Sequence, residues 1–131
     1  MRYNELTRRY FEATPAVGVL PRAPSNAAGV FRGSAGQRER GTWVQFEIQV
    51  QGGRVLEARF LAFGCPHTIA VASWVAENGR GAVSAALPEP VQVLRERFGV
   101  PPDKLGKLLI VEDAWLAAVR AAIDTPPNGP N

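Results

Sequence analysis

The chain has 131 residues, 46% of them hydrophobic, and a formal net charge of +3. This length predicts one domain, which we place at residues 1–124, followed by a disordered proline-rich tail at 125–131. No apolar run approaches the roughly 20 residues that cross a membrane, and no signal peptide is recognisable, so we expect a cytoplasmic protein. A single cysteine excludes an internal disulfide and an all-cysteine metal site within one chain.

Arginines cluster around a glycine-rich segment, at Arg22, Arg32, Arg38 and Arg40. Such a cluster can bind an acidic partner or nucleic acid, or it can be a solvated loop. No nucleic-acid-binding motif accompanies it, so nucleic acid is not an expected partner. We therefore expect residues 34–41 to form an exposed and mobile loop.

The chain opens with a helix that Asn4 can cap and that ends near Ala13. Its candidate buried side chains are Leu6, Tyr10 and Phe11. The proline-rich stretch 15–28 predicts an extended loop, and residues 29–33 a short strand.

The clearest strand is predicted over residues 42–51, where apolar and polar side chains alternate strictly. Gly52-Gly53 then predicts a tight hairpin, and residues 54–63 the returning strand. One face of that strand should be formed by Leu56, Ala58, Phe60 and Ala62. Leu61 and Phe63 make the other face apolar as well, so we expect its end to be covered on both sides.

Helical patterns follow over residues 66–78, 90–98 and about 104–123, with Gly79 at the position after the first helix end. Residues 81–87 predict a short helix or a loop. Strands followed by helices favour an α+β fold. We predict a three-stranded antiparallel meander with helices packed on one face and one helix preceding it.

The turn between the last strand and the following helix carries the only cysteine and the only histidine, Cys65 and His67. Gly64 permits a tight turn, and Pro66 suits the first position of a helix. Cys65 then lies at or next to the N-cap, where the helix dipole favours a thiolate and a lowered thiol pKa. The alternatives are a buried structural cysteine, and a histidine that is solvent-exposed or caps the helix.

Short motifs along residues 2–123 resemble the iron–sulfur cluster assembly scaffolds of the IscU and NifU N-terminal type. In chain order the motifs are Tyr3-Asn4-Glu5, Phe11-Glu12, Val17-Gly18, Ala58-Arg59-Phe60, Phe63-Gly64-Cys65, Ile69-Ala70, Ala72-Ser73, Pro101-Pro102-Asp103-Lys104 and Glu112-Asp113-Ala114. The resemblance implies the same α+β fold. It also implies a cysteine desulfurase or an iron–sulfur assembly chaperone as a partner.

The resemblance further implies that a nascent [2Fe–2S] cluster is held by three cysteines, assisted by an aspartate and a histidine. Only the middle cysteine is present, as Cys65. Arg40 stands at the first cysteine position, Thr42 at the aspartate, Gly106 at the histidine and Lys107 at the last cysteine. Iron–sulfur clusters need about four soft ligands, so one chain is not expected to hold a conventional cluster.

Two routes to metal or sulfur binding remain. Cys65 and His67 of two chains could form a Cys₂His₂ metal site across a homodimer. Alternatively, Cys65 alone could accept a sulfur atom as a persulfide, with Arg40 and Lys107 favouring the thiolate if they lie nearby.

These routes give three functional hypotheses. The first is a scaffold-like protein, a monomer or weak homodimer, that accepts sulfur or docks to partners of iron–sulfur biogenesis. The second is a metal-free regulatory or interaction protein on the same fold. The third is a small thiol enzyme with His67 as the base for Cys65, although an enzyme is not the expectation.

Overall fold

The structure is a computed structural model that describes residues 3–21 and 29–124. In these ranges, four antiparallel strands form one sheet in chain order, and four α-helices complete the fold. The strands are β1 (Gly29–Gln37), β2 (Thr42–Gln51), β3 (Arg54–Phe63) and β4 (Gly81–Ala82), and the helices are α1 (Glu5–Glu12), α2 (Pro66–Asn78), α3 (Val91–Arg97) and α4 (Leu105–Asp124). Two 3₁₀ turns lie at Arg38–Arg40 and Pro102–Lys104. The described residues contain no helix that is both long and apolar enough to span a bilayer.

The α+β class and the leading helix are confirmed, but the sheet has four strands and not three. The extra strand, β4, pairs with Arg54 and Val55 within the segment predicted to be a helix or a loop. Val83 continues this contact by donating its N–H to the Gly53 carbonyl at 2.9 Å. A pairing of only two residues is too short to leave a periodic signal in the sequence.

β1 is longer than predicted, since it continues from Gly29 to Gln37 and pairs along its whole length with β2. The predicted loop at 34–41 is therefore wrong at residues 34–37, whereas residues 38–41 form an exposed turn. Small residues in this stretch weaken the sequence pattern that predicts a strand. The strand forms nevertheless, because β2 pairs with its backbone along one edge and α4 packs over one of its faces.

The predicted arginine cluster does not act as one patch. Arg32 is held by Glu47, a buried carboxylate that also accepts the Leu20 N–H at 2.8 Å. Arg38 stacks over the Trp43 ring, with its guanidinium carbon 4.5 Å from the ring centre. Arg22, like the predicted tail at 125–131, lies outside the described residues.

The hairpin at Gly52-Gly53 is confirmed, and both glycines have positive φ, as a two-residue hairpin turn requires. The predicted core face of β3 is wrong at its first position. The pairing with β2 shifts by one residue, so that Val55 points into the core and Leu56 is 41% exposed. Such a bulge reverses the facing of side chains on one side of it. The end of the strand is not covered on both sides either, because Phe63 is 51% exposed.

α2 is the central helix of the molecule. It is buried on nearly every side because α1 covers its outer face, while the sheet and α4 cover the rest. Its predicted extent is confirmed. Gly79 follows it in a right-handed conformation, and its role is spatial, since a side chain there would overlap the ring of Trp115.

α1 anchors the N-terminal region to α2 and to Phe98. Asn4 caps it as predicted, by accepting the Thr7 N–H at 2.9 Å, and the buried Thr7 hydroxyl donates to the Phe98 carbonyl. Tyr10 packs on the core as expected, but Phe11 is 42% exposed. α1 packs mainly on α2, and Phe11 lies on its uncovered side.

Candidate functional site

The site is built around the turn that joins β3 to α2. Trp43 lies directly across from Phe63 in the sheet, so the start of β2 is the neighbour of the turn. Cys65 occupies the N-cap of α2 in extended conformation, as predicted, and Pro66 takes the first helical position. Its thiol is free and partly exposed. It is therefore placed to react, and a fully buried structural role is not what the structure shows.

The pKa of the Cys65 thiol lies below its ordinary value. Burial raises this pKa, but hydrogen bonds from the backbone and hydroxyl of Thr68 and from the His67 backbone lower it. The positive charge of Lys107 lowers it further. The start of a helix thus stabilises the thiolate, which is the nucleophilic form.

The Thr68 hydroxyl, which lies 3.6 Å from the Cys65 sulfur, was not foreseen. Thr68 is the third residue of α2, and a polar side chain at this position commonly reaches back to the N-cap. That spacing is the signal by which the sequence could have identified it.

Replacing Thr68 with valine is expected to slow alkylation of Cys65 at neutral pH by about threefold to tenfold. Valine fills the same buried space but removes the hydroxyl that stabilises the thiolate, so the thiol pKa rises. The rate of reaction with iodoacetamide measures this. Ser73→Ala is the matched control, because Ser73 is on the same helix and its buried hydroxyl has no partner among the described residues. Equal rates in all three proteins would contradict the role given to Thr68.

His67 is neither exposed nor a cap. Its side chain is 2% exposed and packs edge-on against the Tyr3 ring, with ring centres 4.8 Å apart. Its Nδ1 atom has no hydrogen-bond partner in the described part of the chain. The two-chain site of Cys65 and His67 stays a prediction, and it would require this ring to leave its buried position.

Stability should fall as the pH drops from about 7.5 to about 5.5. Burial lowers the pKa of His67, and the charge of Lys104 lowers it further. Below about 6.5 the unfolded chain therefore takes up a proton that the folded chain still excludes. Urea unfolding at the two pH values measures the loss. His67→Gln should flatten this pH dependence, since no other histidine is present, and an unchanged dependence would contradict the assignment.

All four positions matched to missing cluster ligands come together in one cleft of about 580 Å³. Arg40 lines it from the 3₁₀ turn before β2 and Thr42 from the first residue of β2, while Gly106 and Lys107 line it from the first turn of α4. Lys107 donates from Nζ to the Thr42 hydroxyl at 3.3 Å. Thr42 lines the cleft, and the next residue, Trp43, pairs with Phe63, so the cleft lies beside the turn that carries Cys65, which is not itself a lining residue.

The cleft is cationic. Arg40, Lys104 and Lys107 line it, and Asp103 is its one acidic lining residue. None of the ion pairs between described residues involves Arg40 or Lys107. Lys104 was not foreseen as a lining residue. Across the described ranges, no three histidine, cysteine or acidic side chains come close enough together to hold a metal ion.

Fold and site together define a small α+β protein with one free thiol, of lowered pKa, at a helix start. The family model for the NifU-like N-terminal domain matches residues 3–123. The chain belongs to this family, as the motifs predicted.

Relatives and solved structures agree. The chain is 30% identical over 122 residues to the iron–sulfur cluster assembly scaffold protein IscU of Haemophilus influenzae, covering 91% of this chain and 94% of the relative. It is 24% identical over 119 residues to the iron–sulfur cluster assembly protein IscU of Plasmodium falciparum, covering 90% and 72%. The crystal structure of the NifU-like N-terminal protein of Brucella abortus matches its fold with a TM-score of 0.70 at 16% identity, covering 94% and 95%.

Proposed function

We propose that this chain serves iron–sulfur cluster biogenesis as a scaffold-like sulfur acceptor that does not hold a conventional cluster by itself. The observation that carries the proposal is the pairing of one activated thiol, Cys65, with cations where cluster ligands would stand. A reduced thiol persists in a reducing compartment, so the proposal includes the predicted cytoplasmic location.

The proposed step is a sulfur transfer from a protein persulfide, as a cysteine desulfurase would present it. The Cys65 thiolate attacks the outer sulfur of the donor persulfide, and a new sulfur–sulfur bond forms on Cys65. The bond within the donor persulfide breaks, and the donor cysteine leaves as a thiolate. The proton of the donor persulfide stays with the transferred sulfur, so charge and atoms balance.

Cluster retention is disfavoured by the same residues. A [2Fe–2S] cluster needs about four soft ligands, whereas Cys65 is the single thiol of the chain. Arg40 and Lys107 carry positive charge, which repels iron ions and favours anionic sulfur. Family membership supports a role in the same assembly process, and the ligand chemistry supports a reduced role within it.

The direct test is transfer from a purified cysteine desulfurase with cysteine as its substrate, without iron, followed by intact mass. The expected result is a gain of one sulfur atom that maps to Cys65 and is absent from Cys65→Ser. A chain that gains no sulfur while the desulfurase carries its own persulfide would overturn the acceptor role.

We also propose that the desulfurase docks on a patch beside the thiol, formed by Trp43, Leu61 and Phe63, with the Arg38 guanidinium stacked on the Trp43 ring. The three side chains share the sheet face opposite the helices, and Phe63 is 51% exposed. The patch ends two residues before Cys65, so a protein seated on it would bring its persulfide to the thiol. This continuity with the acceptor is the reason for assigning the patch to the sulfur donor.

Phe63→Ser is expected to slow desulfurase-dependent sulfur transfer about tenfold or more, since exposed aromatic anchors carry much of the binding energy of an interface. Leu56→Ser is the matched control. It removes an exposed apolar side chain from the same strand, about 23 Å away by strand rise. If both variants slow transfer equally, the patch is not the docking surface.

A second candidate is a metal-free interaction protein that keeps the fold for partner binding. Lys107 favours it, because its hydrogen bond to Thr42 places an ammonium group among the matched ligand positions. Capture of the desulfurase without any sulfur on Cys65 would select this candidate. The thiol-enzyme hypothesis gains no support, since the His67 ring packs on Tyr3.

A further inference from the structure

Three cations, Arg40, Lys104 and Lys107, line the cleft beside the Cys65 turn, against one acidic lining residue, Asp103. In the described part of the chain, Arg40 forms no ion pair, so its guanidinium is available to an outside anion. A planar guanidinium and an ammonium group on one cleft are the usual partners of an oxyanion.

The shape of the cleft also suits a small ligand. Its volume of about 580 Å³ is in the range of small-molecule sites. Gly106 borders open space, because a side-chain carbon added there would meet no atom within 4 Å. The backbone of Gly106 has negative φ, so neither conformation nor packing demands glycine at this position of α4. The missing side chain widens the entrance to the cationic groups.

We propose that this cleft binds a small dianion that carries a transferable sulfur at one end and an oxyanion at the other, with thiosulfate as the simplest member. The inference rests on the proposed role of Cys65 as a sulfur acceptor, and it adds a small-molecule donor to the protein donor. Arg40 and Lys104 would hold the oxyanion, and Lys107 would lie between the oxyanion and the thiol.

The cations offset the charge repulsion between the two reactants of this transfer. A thiolate and a dianion repel each other, and the repulsion grows as the dianion leaves water for a partly enclosed site. Positive groups that line the cleft beside the thiol offset that repulsion without any metal ion. The same groups would repel iron, so the charge of the cleft selects sulfur anions as cargo and disfavours metal cations.

The transfer balances without an added oxidant or reductant. The Cys65 thiolate attacks the terminal sulfur of thiosulfate and forms a sulfur–sulfur bond. The sulfur–sulfur bond of thiosulfate breaks, and its electron pair leaves with sulfite. One thiolate and one dianion become one persulfide anion and one dianion, so charge is conserved.

Two measurements test the inference. Binding of thiosulfate, and of unreactive sulfate, to Cys65→Ala is followed by calorimetry, which separates binding from transfer. Intact mass and sulfite release from the native chain then report transfer from thiosulfate. Both anions are expected to bind, and sulfate is expected to slow the transfer.

Arg40→Gln should weaken thiosulfate binding about tenfold, as expected for losing a charge-assisted hydrogen bond. Arg120→Gln is the control, since it removes the same charge from the exposed surface of α4, about 20 Å along the helix from Lys107. Equal affinities in both variants, or no anion binding to Cys65→Ala, would overturn the inference. Sulfur loading by the desulfurase in a chain that binds no thiosulfate would overturn the cleft ligand and leave the proposed function standing. Sulfur transfer from thiosulfate without any transfer from the desulfurase would overturn the proposed protein donor and leave the cleft ligand standing.

Discussion

A variant carrying Arg40→Cys, Thr42→Asp and Lys107→Cys is expected to assemble a [2Fe–2S] cluster that the native chain does not retain. The three positions line one cleft beside the turn that carries Cys65, so the new side chains would lie near the existing thiol. Together they supply three thiolates and a carboxylate, and they remove two cations that repel iron. The expected result is a visible charge-transfer absorption with about two irons per chain, measured after anaerobic reconstitution.

The control carries Arg97→Cys, Thr42→Asp and Arg120→Cys, which add the same number of thiols on the exposed surface. It should stay colourless after removal of unbound iron and sulfide. If the cleft variant is folded and stays colourless too, the assignment of Arg40 and Lys107 to former ligand positions is wrong. A chromophore in both variants would show that it depends on thiol number and not on position.

Gly33→Ala is expected to lower the free energy of unfolding by about 3 kcal/mol or more. Gly33 is where β1 passes under α4, and an added side-chain carbon would overlap the Ala118 amide nitrogen and lie 2.7 Å from the Ala114 carbonyl oxygen. These are helix backbone atoms and cannot rotate away. The strand and the helix must therefore separate, which disturbs the packing that positions the cationic end of α4. Urea unfolding measures the loss.

Gly106→Ala is the comparison within the same helix–sheet unit. The added carbon would meet no atom within 4 Å, and the residue lies in the first turn of α4. Stability should rise by up to about 1 kcal/mol, because alanine favours a helix more than glycine does. A Gly33→Ala variant as stable as the native chain would contradict the close packing of β1 on α4.

The central hairpin and the helices could be predicted because their signals are local. Strict alternation in β2 and the Gly52-Gly53 turn each report on neighbouring residues alone. The features that were missed depend on distant contacts. β4 forms by pairing with Arg54 and Val55 of β3, which lie far from it in the sequence. The bulge at Leu56 reverses a face that simple alternation places in the core. β1 extends past its prediction because its small residues fit beneath α4.

The candidate site likewise has parts that the local sequence predicted and parts that depend on distant contacts. Glycine, cysteine and proline in succession predicted a thiol at a helix start, and the structure places Cys65 at the N-cap of α2. Burial of His67 beneath Tyr3 could not be predicted, because the contact joins α2 to the residue that precedes the α1 cap. Lys104 lines the cleft from the 3₁₀ turn before α4, and the proline-containing sequence there does not predict that turn.

Anaerobic loading of the native chain with iron and a cysteine desulfurase tests the central claim most directly. Visible absorbance, bound metal and intact mass are read from the same sample. The account predicts one added sulfur on Cys65, no cluster absorption and no retained iron. A stable cluster chromophore that disappears in Cys65→Ala would contradict it, because the missing ligands would then have been supplied from other groups.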